Sequence, residues 1–484
     1  MPKSPLRYLL AALLATALWA PPAAAMDSTP IDDPIPENPT ASGLTLTLTE
    51  YATFPKTEPV PTPTDQRLMR WARINNIGEI PDGSRRQFVN DLNGKLYLLK
   101  NGQPQEYLDV GATFAPDFLS GRGLGSGFGY VAFHPDFARN GKFYTVHTEW
   151  GAALTTKTPD LTPQPDTKFH GVITEWTATN PKADTFSGTR REVLRLGFNG
   201  QVHGIQQIDF NPYARRRDAD YGLLYVASGD GGRGVSSDDP QNLAIPQGKV
   251  LRIDPLGTNA ANGKYGIPAK NPFVTKAGAI GEIYAYGMRD PHRFSWDPQG
   301  NRLFLGHIGE HAIEAIYEVK AGDNLGWSER EGSFVFNKAD RCHLYTLPDN
   351  DASFGYTYPV AAYDHDPPPG HSCTADSGHA VAGGFVYRGT RLPLLYGKYL
   401  FGDIVDGRVF FTIASQMRQG GPRATIYQPK LVNASGATVT MKDLAGDARV
   451  DLRLSRDGAG ELYLLSKANG KIWKVTGACM TATP

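Results

Sequence analysis

One pattern recurs along this chain and limits what it can fold into: a turn rich in Gly or Asn, an apolar-aromatic run of about five residues, then a polar loop. The copies are NGKLYLLKNGQ from Asn93, NGKFYTVHTEW from Asn140, YGLLYVASGDGG from Tyr221, GNRLFLGHIGE from Gly300, GKYLFGDIVDG from Gly397 and GELYLLSKANG from Gly460. Apolar stripes at helical spacing are nearly absent, whereas short alternating runs bounded by Gly, Asp, Asn and Pro are frequent, so the chain reads as all-β. Regular recurrence of one strand type is what radial stacking of small antiparallel sheets leaves in a sequence. The copies lie about 50 to about 100 residues apart, more than a minimal four-stranded blade needs, so several blades carry long loops. The expectation is a six-bladed β-propeller over residues 66–478, with a pair of stacked β-sandwiches as the alternative.

Ligands of a propeller bind where the loops of one face converge on the central channel. The positions to inspect are those just after the repeated strand or at the start of the strand before it, and His203, Asp230, Arg289 and His307 fall there. Arg289 and Asp290 stand in IYAYGMRDPHRFSWDP, between an aromatic strand and a proline. ASGDGGRG from Ala227 is glycine-rich, but no helix-forming segment follows, so it carries no nucleotide fingerprint. His307 and His311 are four apart on a glycine-containing loop, which does not set both rings on one face and argues against a transition-metal pair. GDGG, GDIVDG and PDND offer oxygens to calcium but lack the spacing of a known calcium loop. A Gly-x-Ser-x-Gly elbow and a Cys-His arrangement are both absent, which argues against a serine or cysteine nucleophile.

Residues 1–25 read as a secretory signal: Lys3 and Arg7, an apolar core from Leu9 to Trp19, then Ala23, Ala24 and Ala25. That core is shorter than the roughly 20 residues that cross a bilayer, so the expectation is a periplasmic or secreted protein without a membrane span. The 49 basic and 49 acidic side chains cancel, which gives no charge excess to recruit nucleic acid or an anionic membrane. Residues 26–65, rich in Pro and Thr, read as a linker or loosely held arm. Cys342 and Cys373 share a polar, histidine-rich insertion at about 330–380 and are expected to pair, leaving Cys479 free. That insertion also holds His343, His365, His371 and His379, and reads as a lid or a surface loop.

Taken in order, GYVAFHPDFARNGKFYTVHTE (129–149), VHGIQQIDFNP, GLLYVASGDGG, QGKVLRIDPLG (247–257), IPAKNPFV, EIYAYGMRDPHRFSWDP and VKAGDNLGW (319–327) resemble the glucose/sorbosone dehydrogenase family. These are soluble six-bladed propellers that oxidise aldoses with pyrroloquinoline quinone (PQQ) and calcium. The resemblance spans roughly 75–475 and implies the following. His203 is the general base that deprotonates the anomeric hydroxyl, a role that suits imidazole. Arg289 neutralises charge developing on the quinone, and Asp290 stands beside it where the family has asparagine. The backbone carbonyls of Ile308 and Gly309 hold calcium. The partners implied are a small sugar and an unidentified electron acceptor. The sequence also departs from the family. Val405, Ala448 and Val450 stand where the basic clamp for the quinone carboxylates is expected, Arg408 and Arg449 are expected by strand alternation to point away, and Gly125 replaces a glutamine. These departures leave an alternative: a propeller without PQQ that acts as a calcium-dependent, lactonase-like hydrolase or as an extracellular binding module.

Overall fold

A computed structural model describes residues 29–36, 39–366 and 378–480. Its strands form six blades around a channel. Four are separate four-stranded antiparallel sheets, spanning 74–109, 130–198, 205–286 and 290–364. The fifth (Val381–Val386, Lys398–Asp403, Val409–Ile413, Tyr427–Asn433) and the sixth (Leu452–Arg456, Leu462–Ser466, Lys471–Met480) belong to one eight-stranded sheet, joined through Thr40–Thr53. The first strands of neighbouring blades pack against one another around the axis.

The repeated strand is the second of its blade in five cases (Lys142–Glu149, Leu224–Ser228, Arg302–Ile308, Lys398–Asp403, Leu462–Ser466). In the first blade it is the third, Lys95–Lys100, because Ile74–Glu79 and Gln87–Asp91 precede it. Both positions sit in mid-sheet, where each face is covered by a neighbouring blade, so both favour the same apolar-aromatic run. Six hydrophobic clusters fill the spaces between blades, one to each junction. Between the first and second blades, for example, Phe133, Phe143 and Trp176 pack with Phe88 and Leu96, and Phe143 stacks on Trp176 at 6.1 Å. Burial of each such ring contributes about 2–3 kcal/mol.

The N-terminal segment corrects the linker expectation. Thr40–Thr53 is a 14-residue strand that pairs antiparallel with Lys471–Met480 and parallel with Tyr427–Asn433, which makes it the outer strand of the sixth blade. Leu44, Leu46 and Leu48 point into the core while threonines alternate with them, a period of two that the local Pro and Thr content obscured. Upstream, Pro30–Ile31 pairs with Asp340–Tyr345 of the insertion, a place at a sheet edge where proline is tolerated. Ile35 is buried, and its N–H donates to Asp364 Oδ2 at 2.8 Å.

The insertion builds its own small sheet from Arg330–Glu331, Phe334–Asn337 and Asp340–Tyr345. The expected signal segment, His371 and Cys373, and with Cys373 the pairing of Cys342, lie outside the described residues; Cys479 is free and exposed. Among the described residues no helix is long and apolar enough to cross a membrane.

Candidate functional site

First strands begin, and second strands end, at the same mouth of the channel. His203 lies just ahead of Ile205–Phe210, Asp290 opens Asp290–Asp297, Arg73 precedes Ile74–Glu79 and Arg453 lies within Leu452–Arg456. From the other side come Ile308 at the end of Arg302–Ile308, Val405 after Lys398–Asp403 and Lys467 after Leu462–Ser466. All of them line one cavity of about 430 Å³, together with Arg289 and Gly309. The five site residues expected from sequence, His203, Arg289, Asp290, Ile308 and Gly309, therefore share one cavity.

His203 occupies the left-handed region (φ 55°), a conformation that a non-glycine residue adopts only when its surroundings hold it. Its Nδ1 lies 2.8 Å from Asp230 Oδ1. The Asp230 carboxylate is buried and also accepts from the Trp327 indole (2.9 Å) and the backbone N–H groups of Gly232 (2.8 Å) and Gly234 (3.0 Å). Burial works to raise the pKa of Asp230, but the hydrogen bond from His203, the Arg289 charge and the Trp327 indole hold the carboxyl below its usual range. A carboxylate only accepts, so Nδ1 carries the proton and Nε2 keeps a lone pair.

Arg289 is bound through Nε (2.9 Å) and Nη2 (2.7 Å) to Glu310 Oε2, and its Nη1 is 3.4 Å from the Ile308 carbonyl. Glu310 also accepts from Arg341 of the insertion. Asp290 Oδ1 has no hydrogen-bond partner among the described residues, and burial raises this carboxyl toward the protonated form, in which it can donate. The loop after Ile308 is fixed from below by Glu331, a buried carboxylate that accepts from the N–H groups of His311 (2.9 Å), Ala312 (2.8 Å) and Ile313 (2.9 Å). A Cβ at Gly309 would sit 2.1 Å from the Ile313 carbonyl, so the loop closes this tightly only with glycine.

The deep end of the cavity is cationic. Arg73, Arg453 and Lys467 are buried there. The Arg73 guanidinium donates to Asn93 and to the carbonyls of Ser120 and Leu124, and Arg453 to Asn75 and the Leu452 carbonyl, all of them uncharged acceptors. Among the described residues, Lys467 Nζ makes no hydrogen bond or ion pair. Burial, followed by Arg453 and Arg73, drives its pKa well below that of an ordinary lysine, and burial brings Arg453 down to about 9. Both ring nitrogens of His292 are likewise buried without a partner. Buried cations and polar atoms left in this state are the complement of an anionic ligand.

Three sequence expectations change here. Arg449 lines the cavity instead of pointing away, because it lies in the loop ahead of Leu452–Arg456, separated from the strand by the left-handed Asp451 (φ 52°), where strand alternation does not apply. Basic residues are therefore present, supplied by Arg449, Arg453 and Lys467, while Val405 merely lines the wall. Arg408 does stay off the cavity, bound to Asp406 at 2.6 Å. Beside Gly125, where a glutamine was expected, Gln206 lines the cavity, its amide 3.3 Å from where a Cβ at position 125 would lie.

The model of one protein family, glucose/sorbosone dehydrogenase, matches residues 74–472. The chain belongs to the glucose/sorbosone dehydrogenase family. Among curated relatives, HIPL2 protein of Arabidopsis thaliana is 29% identical over 71% of this chain and 53% of its own length. Hedgehog-interacting protein of Mus musculus is 26% identical over 81% of this chain and 49% of its own. The chain thus spans about half the length of these relatives. Among solved structures, the PQQ-bound aldose sugar dehydrogenase of Streptomyces coelicolor shares the fold at a TM-score of 0.55 and 18% identity, covering 90% of this chain and 99% of that one.

Sequence reasoning overlooked Lys467, Arg453, Arg73, Glu310 and Arg341. Lys467 could have been found, since it directly follows the repeated strand ELYLLS, the position the propeller argument singled out. Arg341 could not, because it reaches the cavity from an insertion that the repeat does not register.

Proposed function

We propose that this protein is a PQQ-dependent aldose dehydrogenase. The observation that carries the reading is a histidine-carboxylate pair, His203 and Asp230, set beside Arg289 at one cavity whose floor is lined by buried cations without carboxylate partners. PQQ is a tricarboxylate, and Arg73, Arg453 and Lys467 are the side chains that would hold its carboxylates, with Arg449 beside them, its Nε on Asp451 at 2.9 Å; charge-assisted contacts of this kind offset the desolvation of both sides. Ile308 and Gly309 would supply backbone oxygens to calcium, with the Glu310 carboxylate next in the chain, a donor set that suits a hard cation. When bound, PQQ supplies a two-electron acceptor for the hydride of the sugar C1. The protein does the rest. The Nε2 lone pair of His203 takes the proton of the anomeric hydroxyl, Asp230 holds the ring in that tautomer and steadies the imidazolium, and Arg289 places positive charge where negative charge grows. Loss of hydride and proton leaves the lactone, and His203 returns its proton to solvent.

The test is to supply purified protein with PQQ and Ca²⁺ and follow reduction of an electron-acceptor dye by aldoses. Turnover that His203→Ala abolishes is expected; absence of PQQ binding by calorimetry, with Ca²⁺ present, refutes the reading. A second reading, an extracellular binding module, is favoured by the Glu310 carboxylate that already occupies Arg289 and by the names of the HIPL and Hedgehog-interacting relatives. It predicts capture of a protein or glycan ligand without PQQ.

A further inference from the structure

Outside His203 and Arg289 the cavity opens into a vestibule of about 470 Å³. Four arginines line it, Arg67, Arg122, Arg289 and Arg341, together with Asp65 and Glu310. Asp65 is engaged by Arg67, with Nη2 at 2.8 Å. The Glu310 carboxylate is divided between Arg289 and Arg341. Arg122 makes no hydrogen bond or ion pair among the described residues and lies 6.0 Å over the Trp150 ring. Four positive charges against two negative leave an excess of two, in a chain whose charges otherwise cancel. The cations at the cavity floor are different residues, so an anionic cofactor there does not consume this excess.

The backbone holds these groups in place. Arg122 stands between two glycines pressed against neighbouring chain: a Cβ at Gly121 would lie 1.7 Å from the Pro61 carbonyl oxygen, and one at Gly123 would lie 1.7 Å from that of Gln201. Arg341 stands on Asp340–Tyr345, a strand paired on one side with Phe334–Asn337 and on the other with Pro30–Ile31. A neutral sugar would leave the unshared guanidinium N–H groups to water. A carboxylate takes two of them at once, and a cationic vestibule raises the local concentration of an anion. We propose that the vestibule selects an aldose bearing a carboxylate, a hexuronic acid, and that Arg122 and Arg341 determine this specificity. The proposal rests on the dehydrogenase reading above.

Two measurements test it. With protein reconstituted with PQQ and Ca²⁺, kcat/KM is compared for galacturonate and glucuronate against galactose and glucose. The uronates are expected to lead about tenfold or more, with the lead shrinking as salt is added, and Arg122→Ala or Arg341→Ala should narrow it about tenfold through KM rather than kcat. The second measurement is calorimetric binding of methyl α-D-galacturonoside, which has no free anomeric hydroxyl and cannot be oxidised. Binding that weakens in Arg122→Ala supports the inference even if no sugar is oxidised, an outcome that refutes only the dehydrogenase reading. Oxidation of neutral aldoses at least as fast as uronates, with no binding of the galacturonoside, overturns the inference and leaves the dehydrogenase in place.

Discussion

Lys467→Met is expected to move the protein in opposite directions with and without its anion. In the free protein the ammonium is buried, has no hydrogen-bond or ion-pair partner among the described residues, and faces Arg453, Arg73 and Arg293, with Asp451 as the opposing carboxylate. Replacing a buried ion by an apolar side chain of similar length is worth about 1–4 kcal/mol when the ion is poorly compensated. At about 2.1 cal/mol/K per residue, a fold of roughly 400 residues has an unfolding entropy near 0.8 kcal/mol/K, so a gain of about 2 kcal/mol raises Tm by about 2–3 °C. The sign with pH follows from linkage. The folded pKa lies below the unfolded value, so the unfolded chain binds more protons between the two and stability rises with pH there. The penalty on the parent protein is thus full at acid pH and fades toward pH 10.5, the ordinary lysine value. The variant should lead the parent most at pH 6 and least at pH 9–10, by thermal unfolding monitored with circular dichroism. In titrations with PQQ the same variant should bind at least tenfold more weakly, since one charge-assisted contact is lost. A variant less stable than the parent at pH 6, or one that binds PQQ as well as the parent, would refute the account of the cavity floor.

Asp230→Asn should lower kcat by about 100-fold or more with little change in PQQ affinity, because the carboxylate acts through the tautomer and orientation of His203; steady-state dye reduction measures it. Gly309→Ala should weaken Ca²⁺ binding at least tenfold while the protein stays folded, since the new methyl collides with the Ile313 carbonyl and displaces the loop; calorimetry and circular dichroism separate the two effects. At the opposite mouth of the channel, burial pushes the Asp209 carboxyl up to about 7 from 3.8. The folded state there binds the extra proton between those values, so the parent loses stability as pH rises from about 4 to 7. Asp209→Asn should unfold at a higher temperature than the parent at pH 8 and at the same temperature at pH 4.

How far the sequence carries depends on whether a feature is local. The blade count was readable because burial on both faces imposes the same residue types on every mid-sheet strand, and His203, Asp230 and Arg289 were readable because they flank such strands. The phase of the first copy was not readable, since second and third strands have the same environment. The cationic floor was missed for a related reason: alternation predicts side-chain direction only along an unbroken strand, and Arg449 lies in the loop ahead of Leu452–Arg456. Thr40–Thr53 was lost to composition, although the alternation of Leu44, Leu46 and Leu48 marked it as a strand. Glu331 and Arg341 act across the insertion, where no repeat constrains the reading.

The pairing of Thr40–Thr53 with Lys471–Met480 has a consequence for how the molecule is made. The strand that completes the sixth blade and its partner are separated by more than 400 residues of chain (Thr53 pairs with Lys471). Until the partner arrives, Leu44, Leu46 and Leu48 have no place to be buried, and the outward faces of the first and last blades remain open to water. Closure of the ring is therefore a long-range step, and loss of the Lys471–Met480 strand opens the ring between the first and last blades instead of giving a smaller ring.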